Sequence, residues 1–171
     1  MRFPELSGGR RLAPLDAAAA AELDALSLRC ADFMRLVEGR EPGPHEGREI
    51  LMDAPPDFPI ADKFVLGVRS GDQLIGVADV LRGYPTATIW WIGLLLLAPE
   101  ARGGGLGREV VEALASWAAG EGAVSIQLGV QSQNERALRF WRRLGFEHLR
   151  TAEQRNGRLH NRVLVMERRL D

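Results

Sequence analysis

The sequence predicts a mixed α/β fold (α+β mixed sheet): a central β-sheet of about six to seven strands with helices on both faces, as a layered domain must bury each element's apolar side. Three observations predict it. Apolar residues recur at helical spacing in the N-terminal third and again after Gly105 and Asn134. Between these stretches, Lys63 to Leu97 carries β-branched and apolar runs cut by Ser70-Gly71-Asp72 and Gly83-Tyr84-Pro85, the punctuation of antiparallel pairing. Beyond Leu97 the order becomes helix, strand, helix, strand, strand, so a parallel crossover joins the antiparallel pairs. A length of 171 residues suits one domain spanning 1–171.

Gly9 to Leu15 alternates and reads as a first strand. Asp16 follows as an N-cap, its carboxylate able to accept from amides of the next turn. Ala17 to Leu36, with Leu23, Leu26 and Phe33 in register and Val37 just beyond, is one long or broken helix. Glu38 to Pro44 is a loop, and His45 to Met52 a short helix stopped by Ala54-Pro55-Pro56. Lys63–Arg69 and Gln73–Leu81 form a hairpin. Thr86 to Leu97 is a third strand whose unbroken apolar run implies cover on both faces. Gly105 to Ala119 is a helix with Leu106, Val110, Leu114 and Trp117 on one face, ended by Gly120 and Gly122. Val124–Val130 is a strand, Asn134–Leu144 a helix stopped by Gly145. Phe146–Glu153 and Arg162–Arg169 are strands joined at Asn156-Gly157, a hairpin dipeptide.

Composition excludes several classes. Net charge is −1, from 22 basic and 23 acidic residues, so no overall field favours nucleic acid or a membrane surface. Hydrophobic residues at 46% supply a core. The single cysteine, Cys30, has no disulfide partner and no zinc-spaced companion, and reads as a packing residue. No metal site is expected. The run Ile89–Ala98 falls short of the roughly 20 residues a membrane helix needs, and no signal peptide is evident, so the expected location is cytoplasmic.

The chemistry concentrates in Arg102-Gly103-Gly104-Gly105-Leu106-Gly107. A strand runs into this turn and a helix leaves it. The helix start offers unpaired amides and partial positive charge, and glycines in front of it let a bulky anion approach. Phosphate or pyrophosphate is the matching ligand. The spacing is neither the G-x-G-x-x-G of a dinucleotide fold nor the Gly-Lys-Ser/Thr of a P-loop.

With that turn, the sequence resembles the GCN5-related N-acetyltransferases (GNAT). Their Pro followed by Arg/Gln-x-x-Gly-x-Gly/Ala is matched by Pro99 and Arg102–Gly107. A second hallmark is matched by Val130, Asn134, Ala137, Phe140-Trp141 and Gly145-Phe146. The resemblance implies an acyltransferase that moves an acetyl group from acetyl-CoA, as cosubstrate, directly to a primary amine of a small molecule or peptide. It implies that backbone groups of Leu95, Leu96 and Leu97 pair with pantetheine amides as an added strand would. Amides of Gly103, Gly104, Gly105, Leu106 and Gly107, with Arg102, would hold the pyrophosphate. Asn134 would bind the pantetheine arm or fix the splayed fifth strand, Leu138, Phe140 and Trp141 would wall the cofactor, and Arg136 and Arg139 would reach its nucleotide end. The backbone N–H of Leu97 is the expected oxyanion donor. A monomer or homodimer fits the same resemblance.

The chain departs from its relatives at the catalytic side chains. Many members carry a Tyr general acid in the aromatic pair; here Trp141 stands there, and an indole N–H surrenders no proton at useful pH. Others carry a Glu about six residues before the strand end, where this chain has Trp91. The remaining catalytic candidates are Asp79, a carboxylate in an apolar strand, and Tyr84, the only tyrosine, able to protonate a thiolate or line the acceptor site. The more common reading of Asp79 is a salt-bridged or hydrogen-bonded structural residue, and of Tyr84 a turn residue packing its ring. His45, His148 and His160 lack spaced partners. Trp90 and Trp91 fall on opposite faces by alternation, one for the core and one for a pocket wall. The alternative is a degenerate relative that binds acetyl-CoA as a sensor or structural ligand.

Overall fold

The computed structural model describes Phe3 and residues 6–156 and 159–171. Seven strands form one sheet, β1 Arg10–Pro14, β2 Lys63–Ser70, β3 Gln73–Arg82, β4 Ile89–Leu97, β5 Ser125–Gln131, β6 Glu147–Asn156 and β7 Leu159–Arg169. Their spatial order is β1-β2-β3-β4-β5-β7-β6. All pairs are antiparallel except β4 with β5, which the crossover helix α4, Leu106–Gly120, makes parallel. One face carries α4 and α5, Glu135–Arg143. The other carries α1 Ala20–Arg29, α2 Ala31–Glu38 and α3 Glu46–Met52. The mixed sheet covered on both faces is thus the predicted one. None of the described helices is long and apolar enough to cross a membrane.

Asp16 caps as expected: its Oδ1 accepts from Ala18 N at 2.9 Å, opening a short 3-10 turn before α1. The N-terminal helical stretch is broken at Cys30, the hinge between α1 and α2. The core against α4 is aromatic. Trp90 lies 4.7 Å from Trp117 edge-to-face, and Phe64 stacks on Trp90 at 6.5 Å while meeting Trp117 edge-on at 5.1 Å. The turn expected at Asn156-Gly157 lies partly outside the described residues.

Two expectations about the central strand are corrected. Thr86–Thr88 form a turn, and β4 begins only at Ile89. Nor is β4 covered along its length, because Gly93 is exposed and Leu94, Leu95 and Leu97 are half-buried. The cause is a bulge. Asp79 pairs with Leu94 but Val80 pairs with Ile92, leaving Gly93 as an extra residue. Before it, Trp90 and Ile92 pack toward α4; after it, Leu95 and Leu97 do so while Leu94 and Leu96 turn to the α1–α3 side. The run that looked buried throughout is two alternating runs of opposite phase.

Candidate functional site

β4 and β5 pair only from Ile89–Ile92 against Ser125–Leu128. Past that point β5 goes on bonding to β7 through Gln131, whereas β4 keeps its partner β3 and diverges. The fork opens a cleft of about 790 Å³, with Gly93–Leu97 on one wall and Leu128–Gln131 on the other. Phe33 and Leu36 of α2 roof it, and Ala137, Phe140, Trp141 and Leu144 bring the α5 side to it.

The glycine turn closes one end. Gly103 and Gly105 hold φ of +83° and +87°, a region that other residues enter at a cost. The first backbone bond of α4 runs from Glu109 N to Gly105 O at 3.1 Å, and no side chain among the described residues caps the helix. Among the described residues the amides of Gly103 to Arg108 therefore have no backbone acceptor, the condition for holding an anion at a helix start. Gly107 permits close approach: a methyl group there would stand 3.2 Å from the Phe140 ring. Arg108, Arg136, Arg139 and Arg143 line the same cleft. Only Arg139 among them has an ion-pair partner in the described residues, Glu135 at 3.5 Å.

The structure brings most of the expected cofactor residues to one cleft. Leu95, Leu96, Leu97, Arg102, Gly103, Gly105, Gly107, Asn134, Phe140 and Trp141 line it; the Leu138 side chain does not, and Gly104 and Leu106 offer only their amides in the turn. Leu138 and Leu106 are buried in the core, because the faces of α5 and α4 that carry them point to the sheet; Ala137 takes the wall position beside Leu138. Asn134 spends its Oδ1 capping α5, accepting from Ala137 N at 3.1 Å. Arg102 lines the cleft beside the turn with its guanidinium already bonded. It donates to Leu97 O at 2.8 Å and pairs with Asp32 of α2 at 2.6 Å, and this bond holds the Asp32 carboxyl below its usual range.

Neither catalytic candidate lies on the cleft wall. Tyr84 packs edge-to-face between Phe58 and Trp91, at 6.0 and 5.8 Å, and borders a separate pocket with Pro55–Pro59 and Arg82. Asp79 is buried and bonded to Lys63 Nζ at 2.6 Å. Burial pushes its carboxyl up, with the negative Asp53 adding to this, while Lys63 pulls it down. His148 faces Thr151 and His160 faces Glu153, both exposed and outside the cleft. Among the described residues no cluster of three or more His, Cys, Asp or Glu could hold a metal ion.

Sequence reasoning missed the residues that fix the roof. Asn161, buried in β7, donates to Val37 O at 2.7 Å and accepts from Gln133 Nε2 at 2.8 Å; Gln133 also donates to Leu36 O at 3.3 Å. With Asp32–Arg102 these bonds tie α2 at both ends. No local signal marks them, since each bond joins residues far apart in sequence. Gly93 did carry a signal: a lone glycine inside a strand pattern points to a bulge.

The same architecture recurs among solved structures. An acetyltransferase from Thermus thermophilus superposes with a TM-score of 0.74 at 24% identity, covering 96% of this chain and 99% of that one. A probable GNAT-family acetyltransferase from Chromobacterium violaceum gives 0.77 at 20%, covering 99% and 93%. At these identities the likeness is one of fold. An uncharacterized N-acetyltransferase of Mycobacterium bovis is 31% identical over 106 residues, 62% of this chain and 67% of that relative. An uncharacterized protein of Mycobacterium leprae is 32% identical over 85 residues, 49% of this chain but only 23% of that longer relative. The model of the acetyltransferase (GNAT) family matches residues 30–146, a stretch that takes in the roof helix α2, the fork, the glycine turn and α5. The chain belongs to that family.

Proposed function

We propose that this protein transfers an acetyl group from acetyl-CoA to a primary amine of a small molecule or peptide, with residues 1–171 forming the single domain that does so. The observation that carries the reading is the fork. Its β4 wall has lost its β5 neighbour from Gly93 onward, so an extended amide-bearing arm can take that neighbour's place. The turn at the fork's end suits a pyrophosphate: glycines, and amides from Gly103 to Arg108 with no backbone acceptor and no competing cap among the described residues. The arginines at positions 108, 136, 139 and 143 set positive charge around a ligand rich in phosphate. The residues present therefore fit the donor.

The donor supplies a thioester, whose carbonyl carbon an amine attacks. The chain's part is to hold that arm straight between the walls, exclude water under Phe33 and Leu36, and remove a proton from the amine. Cytoplasmic location and a monomeric or homodimeric state accompany this reading.

A second reading, acetyl-CoA held as a sensor or structural ligand, is favoured by Trp141. It stands on the cleft wall, where a hydroxyl acid would protonate the leaving thiolate. Calorimetric titration with acetyl-CoA, paired with a free-thiol assay over a panel of amines, separates the two. We expect binding and thiol release with at least one amine. Binding without thiol release from any amine would leave only the sensor.

A further inference from the structure

We infer that Asp79 is the proton acceptor for the incoming amine, reaching the cleft through the gap that Gly93 leaves in β4. The assignment rests on the transfer reading above and gives it the base that neither Trp91 nor Trp141 supplies.

Three features place the carboxylate there. The bulge sets Gly93 beside Asp79 rather than opposite a partner of its own, since Asp79 pairs with Leu94 and Val80 with Ile92. A methyl group on Gly93 would stand 2.8 Å from Asp79 Oδ2, so the absent side chain is what leaves that oxygen uncovered. Gly93 is itself exposed and lines the cleft at the point where the strands part. An arm running from the glycine turn along Leu97 to Leu95 brings its reacting end to that point, so the reacting carbonyl lies by Gly93 rather than at the Leu97 N–H expected as oxyanion donor.

The two carboxylate oxygens have different surroundings. Oδ1 accepts from Lys63 Nζ at 2.6 Å, which fixes the group's orientation. Oδ2 has no donor among the described residues and looks toward Gly93. The ion pair occupies only Oδ1, and the missing side chain at 93 leaves the second oxygen open on the cleft side. The charged neighbours are Lys63 from β2, which favours the ionised form, and Asp53 just after α3, which opposes it. The facing residues of β4, Gly93 and Leu94, carry no charge. Burial further raises the carboxyl's proton affinity, and a carboxylate so placed is a better proton acceptor than a free one. Glu167 of β7, which reaches across to β5, is already committed: its Oε1 accepts from Ser125 at 2.8 Å and Gln127 at 3.0 Å.

The ammonium form of the acceptor gives one proton to Asp79 Oδ2. Its nitrogen lone pair then forms the C–N bond while the C–S bond breaks, and the leaving sulfur takes a second proton from that nitrogen. The third stays as the amide N–H, and Asp79 returns its proton to solvent.

The test uses the full chain with acetyl-CoA and whichever amine releases thiol. Asp79→Asn is expected to lower kcat by about 10²- to 10⁴-fold and to abolish the acid limb of the kcat/KM profile. Its Kd for acetyl-CoA should stay within about twofold, and Asp79→Glu should restore part of kcat. Lys63→Met removes the charge that favours the ionised carboxylate, so the acid limb should move to higher pH. If wild-type protein transfers acetyl and Asp79→Asn keeps its kcat and its acid limb, the assignment is wrong while the transferase reading stands. If Asp79→Asn fails to bind acetyl-CoA because it misfolds, Lys63→Met decides, and an unmoved limb overturns the proposal. Absence of thiol release by wild-type protein with every amine would overturn the transferase reading and this base together.

Discussion

Gly107 and Gly104 stand three residues apart in one turn, with different surroundings. A side chain on Gly107 would press on the Phe140 ring at 3.2 Å and on Leu97 at 3.5 Å; one on Gly104 would meet nothing within 4 Å. Gly107→Val should therefore raise the acetyl-CoA Kd by at least tenfold, about 1.4 kcal/mol, while Gly104→Ala leaves it within about twofold; titration calorimetry on the two variants measures both. The turn's geometry was legible in the sequence because glycines before a helix act locally. Asp79 was legible only as an anomaly. Its partner Lys63 is 16 residues away across a hairpin whose own bulge, between Val68 and Arg69, shifts the count from Ser70-Gly71-Asp72. The tie from Arg102 to Asp32 was not legible, because nothing near Arg102 in sequence announces Asp32.

Among the elements, α2 joins fold and site most directly. It is short, it roofs the cleft with Phe33 and Leu36, and it is tied by Asp32–Arg102 at one end and by Asn161 and Gln133 at the other. Asn161→Leu would strand the buried Val37 carbonyl, at a cost of about 1–3 kcal/mol. The expected result is faster amide exchange across α2 and a raised KM for acetyl-CoA, with the far-UV circular dichroism kept; unchanged exchange in α2 would show that the other tie suffices. The helix was read from its periodicity, but its role was not, because a helix's neighbours are set by strands more than a hundred residues away. β4 shows a different limit. A run of leucines has no polar residue to reveal its phase, so one extra glycine inverted the faces without disturbing the pattern.

For the whole molecule, acid stability follows from carboxylates whose proton affinity the fold lowers. The Arg168 guanidinium holds Glu112 below the ordinary value of 4.5, joining β7 to α4; Arg69 does the same for Glu22 between β2 and α1, and Gln127 and Ser125 for Glu167 within the sheet. Each group binds protons more readily unfolded than folded, so its contribution is complete above about 4.5 and is lost as pH falls through the lower folded value. Asp79 has the opposite sign, being easier to protonate folded, and offsets part of that loss. The melting temperature should thus be flat near neutrality with respect to these groups and fall below about pH 4.5; a melt series by circular dichroism from pH 7 to about pH 3 checks it. The mixed sheet and its layers were readable from element order alone. The fork was not, because where two parallel strands stop pairing is decided by the competing partners β3 and β7.

The fork's short joint makes it a lever. Four residue pairs hold β4 to β5 below the point of divergence, and Trp90 sits among them, paired with Ile126 and wedged against Trp117. A small rotation at that joint is magnified at the tips, where Leu97 and Gln131 stand. The grip on that indole, which lies in the core and not on the cleft wall, is thereby coupled to the aperture at the tips.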